Sequence, residues 1–300
     1  MSASIDIRVT QLNVYPVKSC RRVSVSSVRL DEFGVCNDRR FMLVDGNGRF
    51  LSQRRYPILA TVTATLETEE APEDNGAIRR VKMSSPHVDW DLEVEPRRDG
   101  KVVQVGIWED KALAVDQGEK AAEWIRDLLK TGMTYNRLVT IGEIGTKRPV
   151  RIPSDFPSLP DRQLSFTDEA PVLLLSEESL TNLNTKMKER TGTEVVMDRF
   201  RPNIVVSGCT NAFDEDSWLL IEIGNVKFMA YNKAERCKMT GIDQLTGEVD
   251  KHGPLHVLRE YRAPRGPGHA EFGQHIIPLS LGGQLQLGDK VKVISLKTSV

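Results

Sequence analysis

The sequence predicts a mainly β protein of the α+β kind, built as two β-barrel-like domains with a few packed helices. Short runs rich in β-branched residues, with partial alternation, dominate both halves. Two segments carry a helical period, and four prolines among charges at 145–163 separate the halves. Strand runs outnumber helices and no βαβ alternation appears, which favours barrels or sandwiches over a parallel α/β sheet. A chain of 300 residues fits two domains of about 150 residues each.

Taken in order, strands are expected at "IDIRVTQLNVYPV", "VSVSSVRL", "RFMLVD", "RFLSQ", "ILATVTATL", "RRVKM", "KVVQV" and "ALAV". Gly46-Asn47-Gly48 tolerates positive φ and predicts a tight hairpin between Phe41 and Gln53. The polar run at 69–76 reads as an exposed hairpin connection. Between 117 and 132, Ala121, Trp124, Ile125, Leu128 and Leu129 recur at helical spacing, with Gly132 placed to stop the helix. A strand at Val172, a Ser176 N-cap, a helix with Leu180, Leu183 and Met187 on one face, and a stop at Gly192 follow the proline-rich stretch. Further strands are read at "NIVVSG", "WLLIEIG", "VKFMAY", "HIIPLSL", "QLQLG" and "VKVISL". These elements give an N-terminal domain over 5–132 and a second over 146–298.

Composition limits the function classes. A formal net charge of -1 supplies no global basic field for nucleic acid or anionic membranes, so any anion site is local. The four cysteines, at 20, 36, 209 and 237, form no C-x-x-C pair, and neither a signal-peptide core nor a long apolar run appears. The chain reads as intracellular, soluble and reduced, with no membrane segment. The P-loop, dinucleotide-fold and nucleophile-elbow motifs are all missing. His252 and His256 are separated by Gly253 and Pro254, which breaks the single helical face that zinc motifs use.

Cys237 is the cysteine with the most pointed surroundings. Arg236 precedes it, Lys233 and Lys238 are near, and the turn-rich "TGIDQLTGE" follows. Adjacent cations favour thiolate, the form that attacks or binds metal. The alternative is a small buried structural cysteine. "YPVKSC" ends a strand on Lys18 and Ser19, groups able to hold an oxyanion. Arg39 and Arg40 open one strand, and Arg199, Arg201 and Asn203 precede another. Taken singly, the commoner roles are an exposed lysine at a strand end for Lys18 and a surface ion pair for each arginine.

In their order along the chain, "YPVKSC", "DRRFMLVD", "QRRYP", "RFRPNIVVSG", "FDEDSW", "ERCKMTGIDQLTGE" and "FGQ" resemble the MOSC superfamily of molybdenum-cofactor proteins. Specifically, they resemble the mitochondrial amidoxime-reducing component family, an N-terminal β-barrel domain followed by a MOSC domain. The resemblance spans essentially the whole chain. It implies a molybdenum cofactor (Mo-molybdopterin) whose metal is bound by a pterin dithiolene and one cysteine, here Cys237. It implies that Lys18, Ser19, Arg40, Arg201, Asn203 and Arg236 bind the cofactor. The implied activity is reduction of N-hydroxylated compounds with electrons from cytochrome b5 and NADH-cytochrome b5 reductase. The implied place is the mitochondrial outer membrane, with the cytoplasm as the alternative. Glu169, Ala170 and Glu235 depart from the family pattern, and Glu235 beside a bound anion is repulsive unless it turns away. The "GTKRPVR" run at 145–151 is read as a surface that steers an acidic electron donor. Two rivals remain: a non-catalytic carrier of the cofactor or of sulfur, and a scaffold whose cysteine is structural.

Overall fold

The computed structural model describes residues 6–68, 78–130, 135–141, 148–153, 156, 162–266 and 268–297. The expected connection at 69–76 and the Gly132 helix stop lie outside them, as do the ends of the two expected domains. The first half carries β1 (Ile7–Val14), β2 (Val23–Val25), β3 (Ser27–Asp31), β4 (Gly34–Val35), β5 (Phe41–Val44), β6 (Thr63–Thr68), β7 (Ile78–Ser84), β8 (Leu92–Val94), β9 (Val102–Ile107), β10 (Asp110–Asp116), α1 (Glu119–Leu129) and β11 (Arg137–Ile141). The second carries β12 (Val172–Ser176), α2 (Glu177–Thr191), β13 (Ile204–Ser207), β14 (Trp218–Ile223), β15 (Val226–Glu235), α3 (Pro254–Tyr261), β16 (Glu271–Pro278), β17 (Gln284–Gln286) and β18 (Lys290–Leu296).

Seven strands close a barrel in the order β13-β12-β16-β15-β14-β18-β1, sealed by the pairing of β1 with β13, and β2 extends it beside β1. Its interior is apolar, with Leu12, Ile204, Ile221, Phe228 and Ile276 all nearly or fully buried. Strand pairing therefore does not follow the two sequence segments: β1 comes from the first and lies in the barrel of the second. One residue of bulge between Val9 and Gln11 bends β1 along β13.

Against this barrel stands an open half-barrel, the sheet β5-β11-β10-β9 and the sheet β6-β7-β8. Helix α1 closes its core by burying Ala121, Trp124, Ile125 and Leu128, the face the 3.6-residue period picks out. It ends with Lys130 in the left-handed region at φ 49°. Ser176 caps α2 as expected, accepting from the Ser179 N–H at 3.1 Å, and Gly192 ends that helix at φ 70°.

Several local readings differ. Residues 57–61 form a 3-10 turn rather than the start of a strand, and 49–53 contributes only isolated bridges. Strands β12 and β13 run parallel with α2 between them, so one βαβ unit is present. Pro254, the first residue of α3, starts a helix that the sequence reading left out, and His252 lies before it.

Candidate functional site

The chain leaves the barrel at Tyr15 and enters the half-barrel, where Val17 bridges Phe41 and the Lys18 N–H donates to the Phe41 carbonyl at 2.8 Å. This crossing turns Ser19 to φ 67° and places Lys18 and Ser19 at the junction of the two units. From the barrel side, the end of β15 delivers Arg236 and Cys237. The Arg236 N–H is fixed to the Ala270 carbonyl at 2.7 Å, and the Cys237 carbonyl accepts from the Thr240 N–H and hydroxyl, both at 3.1 Å. Residues 167–170, Asn203 at the head of β13, and Trp108 from the β9–β10 turn complete a cavity of about 290 Å³.

The turn after Cys237 clamps the units together. Gln244 exchanges two amide hydrogen bonds with Gln53, at 3.0 and 2.9 Å, and accepts a third from Arg201 at 3.1 Å. Gly247, at φ 75°, lies so close to the half-barrel that an added Cβ would sit 3.0 Å from the Pro57 carbonyl oxygen.

Six cations (Lys18, Arg39, Arg54, Arg199, Arg201 and Arg236) and three carboxylates (Asp168, Glu169 and Glu235) line the cavity, an excess of positive charge in a chain of net charge -1. Arg39 and Arg201 stack on Tyr15, with guanidinium carbons 4.1 and 4.3 Å from the ring centroid. Burial pulls the Lys18 ammonium down to about 8. It is held by Asp168 and by the Phe166 carbonyl at 2.7 Å. Burial alone would raise the Asp168 carboxyl, but Lys18 beside it prevails and holds it at about 2. Arg236 is drawn down to about 10 by burial and stays charged at neutral pH. Its Nε and Nη1 donate to the Phe272 and Phe200 carbonyls at 2.7 and 3.2 Å. Its Nη2, like Nη1 of Arg199, is buried with no partner, and a buried donor without an acceptor is costly.

His275 is pushed down to about 3 by burial, with Arg236 adding to the effect, so it is a neutral imidazole in the wall. Glu235 turns from the cationic centre: its Oε1 lies 2.7 Å from Nδ1 of His269 and its Oε2 lies 3.9 Å from Arg265. Glu169 stands 58% exposed at the mouth, 3.7 Å from Nδ1 of His275.

Lys18, Ser19, Arg201, Asn203, Arg236 and Cys237, scattered over some 220 positions, thus meet in one cavity. Arg40 does not. It stacks on Phe33 at 4.3 Å and pairs with Asp31 outside the cavity. Its neighbour Arg39, held at φ 47° in the turn before β5, lines the cavity instead. Arg148 also corrects an expectation. Its side chain is 2% exposed and holds the Thr167 carbonyl at 3.1 Å, so it braces the 165–167 segment rather than steering a partner. Arg151 is exposed but paired with Asp110 at 2.5 Å, and 145–147 lie outside the described residues. The sequence reading did not assign Arg39, Arg54, Arg199, Trp108 or His275 to the site. Arg54 lay in the quoted "QRRYP", and the two other arginines stood beside assigned positions.

Among the described residues no group of three His, Cys, Asp or Glu side chains converges on a metal position. A metal at Cys237 would have to bring most of its ligands on a bound group. Clustered cations, two orphaned guanidinium donors and a lone soft sulfur fit such an anionic, metal-carrying group.

Comparison with known families matches residues 6–132 to the MOSC N-terminal beta barrel domain and residues 161–292 to the MOSC domain. Mitochondrial amidoxime reducing component 2 of Bos taurus is 34% identical over 264 residues, covering 85% of this chain and 72% of that protein. Mitochondrial amidoxime-reducing component 1 of Mus musculus is 30% identical, covering 95% of this chain and 82% of its own length. Among solved structures, the YUAD protein of Bacillus subtilis covers 95% of this chain at 11% identity with a TM-score of 0.34.

Proposed function

The chain belongs to the family of mitochondrial amidoxime-reducing components, and from that premise we propose that it is a molybdenum-cofactor-dependent reductase of N-hydroxylated compounds. Amidoximes, hydroxylamines and N-hydroxylated bases are the substrate classes. The observation that carries the reading is the single cavity where Cys237 meets six cations drawn from both units. In this reading the Cys237 sulfur is the protein's metal ligand, and Lys18, Ser19, Arg39, Arg201, Asn203 and Arg236 hold the phosphate and pterin. When bound, the cofactor supplies the redox change that removes oxygen from the N–O bond.

The remaining work falls to the chain. Arg236, anchored by two backbone carbonyls, offers its free Nη2 to an anion at fixed geometry. Leu173, Phe200 and Met239 supply apolar wall that limits water beside the cations, and a drier site strengthens each charge interaction. His275, neutral across the working pH range, adds hydrogen-bonding capacity without another positive charge. Cytochrome b5 and NADH-cytochrome b5 reductase are the electron donors in this proposal, which for them rests on the resemblance. A mitochondrial location follows the names of the relatives. Among the described residues no helix is long and apolar enough to cross a membrane.

The test is reduction of benzamidoxime by the cofactor-loaded protein with cytochrome b5, its reductase and NADH, alongside Cys237→Ala. The proposal expects turnover in the parent and none in the folded variant. Bound cofactor without turnover would establish the carrier instead, and turnover by Cys237→Ala would remove Cys237 from the chemistry.

A further inference from the structure

Arg54 reaches Cys237 from the other unit. Its Nη1 lies 3.3 Å from the Cys237 sulfur and donates to it. The guanidinium is not left to wander. Its carbon lies 4.4 Å from the Trp108 ring centroid and 6.0 Å from that of Phe50, while these two rings meet edge to face at 5.4 Å. Trp108 is itself held, since its indole N–H donates to Asp168 Oδ1 at 3.0 Å, the same carboxylate oxygen that pairs with Lys18.

Trp108 carries two local costs for this placement. It is 56% exposed, and its backbone sits at φ 56°, a region that residues with a Cβ adopt rarely. An exposed indole gains little from burial there. The contacts it makes are the Asp168 bond, the Phe50 edge and the cover over Arg54. Such departures concentrate where a site's geometry is being fixed.

We propose that Arg54 is a positioning residue that sets the direction and electron density of the Cys237 sulfur, with Trp108 and Asp168 locking the guanidinium in place. The inference rests on the reading of Cys237 as metal ligand and goes beyond it. A cation donating to a ligating sulfur withdraws electron density, favours the reduced metal and raises its potential. Arg54 thereby poises the metal from the half-barrel, whereas Arg236 and its neighbours hold the rest of the group from the barrel.

The experiment uses cofactor-loaded parent, Arg54→Gln, Arg54→Lys and Trp108→Phe. It measures molybdenum per chain and the potential at which the metal's one-electron-reduced paramagnetic signal appears. The expected result is molybdenum retained in Arg54→Gln with its potential lowered by about 59 mV or more, a tenfold shift in a one-electron equilibrium. Trp108→Phe moves it the same way by less, and Arg54→Lys partly restores it. An unchanged potential and signal in loaded Arg54→Gln overturns the proposal. Should Arg54→Gln load no metal, Arg54→Lys decides: a potential and signal equal to the parent's overturn it, and a lowered potential supports it. In cofactor-free protein, iodoacetamide alkylation of Cys237 should change several-fold in Arg54→Gln while that of Cys36 does not. Equal rates at Cys237 count against the proposal. A parent that binds no molybdenum refutes the cofactor reading itself, and the alkylation comparison still reports on the Arg54 contact.

Discussion

Arg236→Gln and Arg40→Gln form a matched pair, because one removes a cation that lines the cavity and the other a cation of the same type outside it. At an effective dielectric of about 20, unit charges about 8 Å apart interact by about 2 kcal/mol, and by about 4 kcal/mol at about 4 Å. Taking the weaker value, Arg236→Gln should cost about 2 kcal/mol of binding to a small polyanion, about thirty-fold in affinity. Arg40 is tied to Asp31 and Phe33, and screening over a Debye length of about 8 Å mutes what remains of its field in the cavity. Its substitution should change affinity less than about threefold. Titration calorimetry of cofactor-free protein with pyrophosphate at pH 7.5 and physiological salt measures both. Urea unfolding should show both variants somewhat less stable, since Arg236 loses bonds to two carbonyls and Arg40 its partly buried ion pair. Equal losses of pyrophosphate affinity, or none in Arg236→Gln, would refute the assignment of these two arginines.

Two pH dependences follow from the same geometry. Burial holds His275 at about 3, below its ordinary value of about 6.5, so the unfolded chain binds more protons between those values and stability falls as pH drops below about 6.5. At pH 5 the loss from this group is about 2 kcal/mol; urea unfolding at pH 7 and 5 should show it, and His275→Phe should flatten it. Lys18, drawn down to about 8 by burial, loses its charge as pH rises through that value. Pyrophosphate affinity should therefore weaken between pH 7 and 9, and in Lys18→Met that step should vanish. The unfolded chain binds more protons between about 8 and the ordinary lysine value near 10.4, so Lys18 makes stability rise with pH across that window.

What the sequence revealed tracks the range of the forces involved. Helix α1 was legible because Trp124, Ile125 and Leu128 repeat with the helix's own period, and α2 because Ser176 and Gly192 are local start and stop signals. The barrel's closure was not, since β1 seals it by pairing with β13 about 190 positions away, and no local pattern encodes that partner. Helix α3 was hidden by Pro254, which reads as a breaker until it is seen at the first helical position. At the site, Cys237 and Arg236 stood out by their company. That Arg39 rather than Arg40 lines the cavity follows from the turn before β5, where Arg39 sits at φ 47°, a conformation that no local pattern announces. Arg54 declares itself only through a contact with a sulfur 183 positions away.

The central claim is that one cavity shared by two units presents Cys237 to the metal of an anionic cofactor. X-ray absorption at the molybdenum edge tests it most directly, by counting sulfur ligands in the loaded parent and in Cys237→Ala. The account predicts bound molybdenum in the parent and one sulfur fewer in the variant. An unchanged sulfur shell, or a parent without molybdenum after cofactor loading, would contradict it.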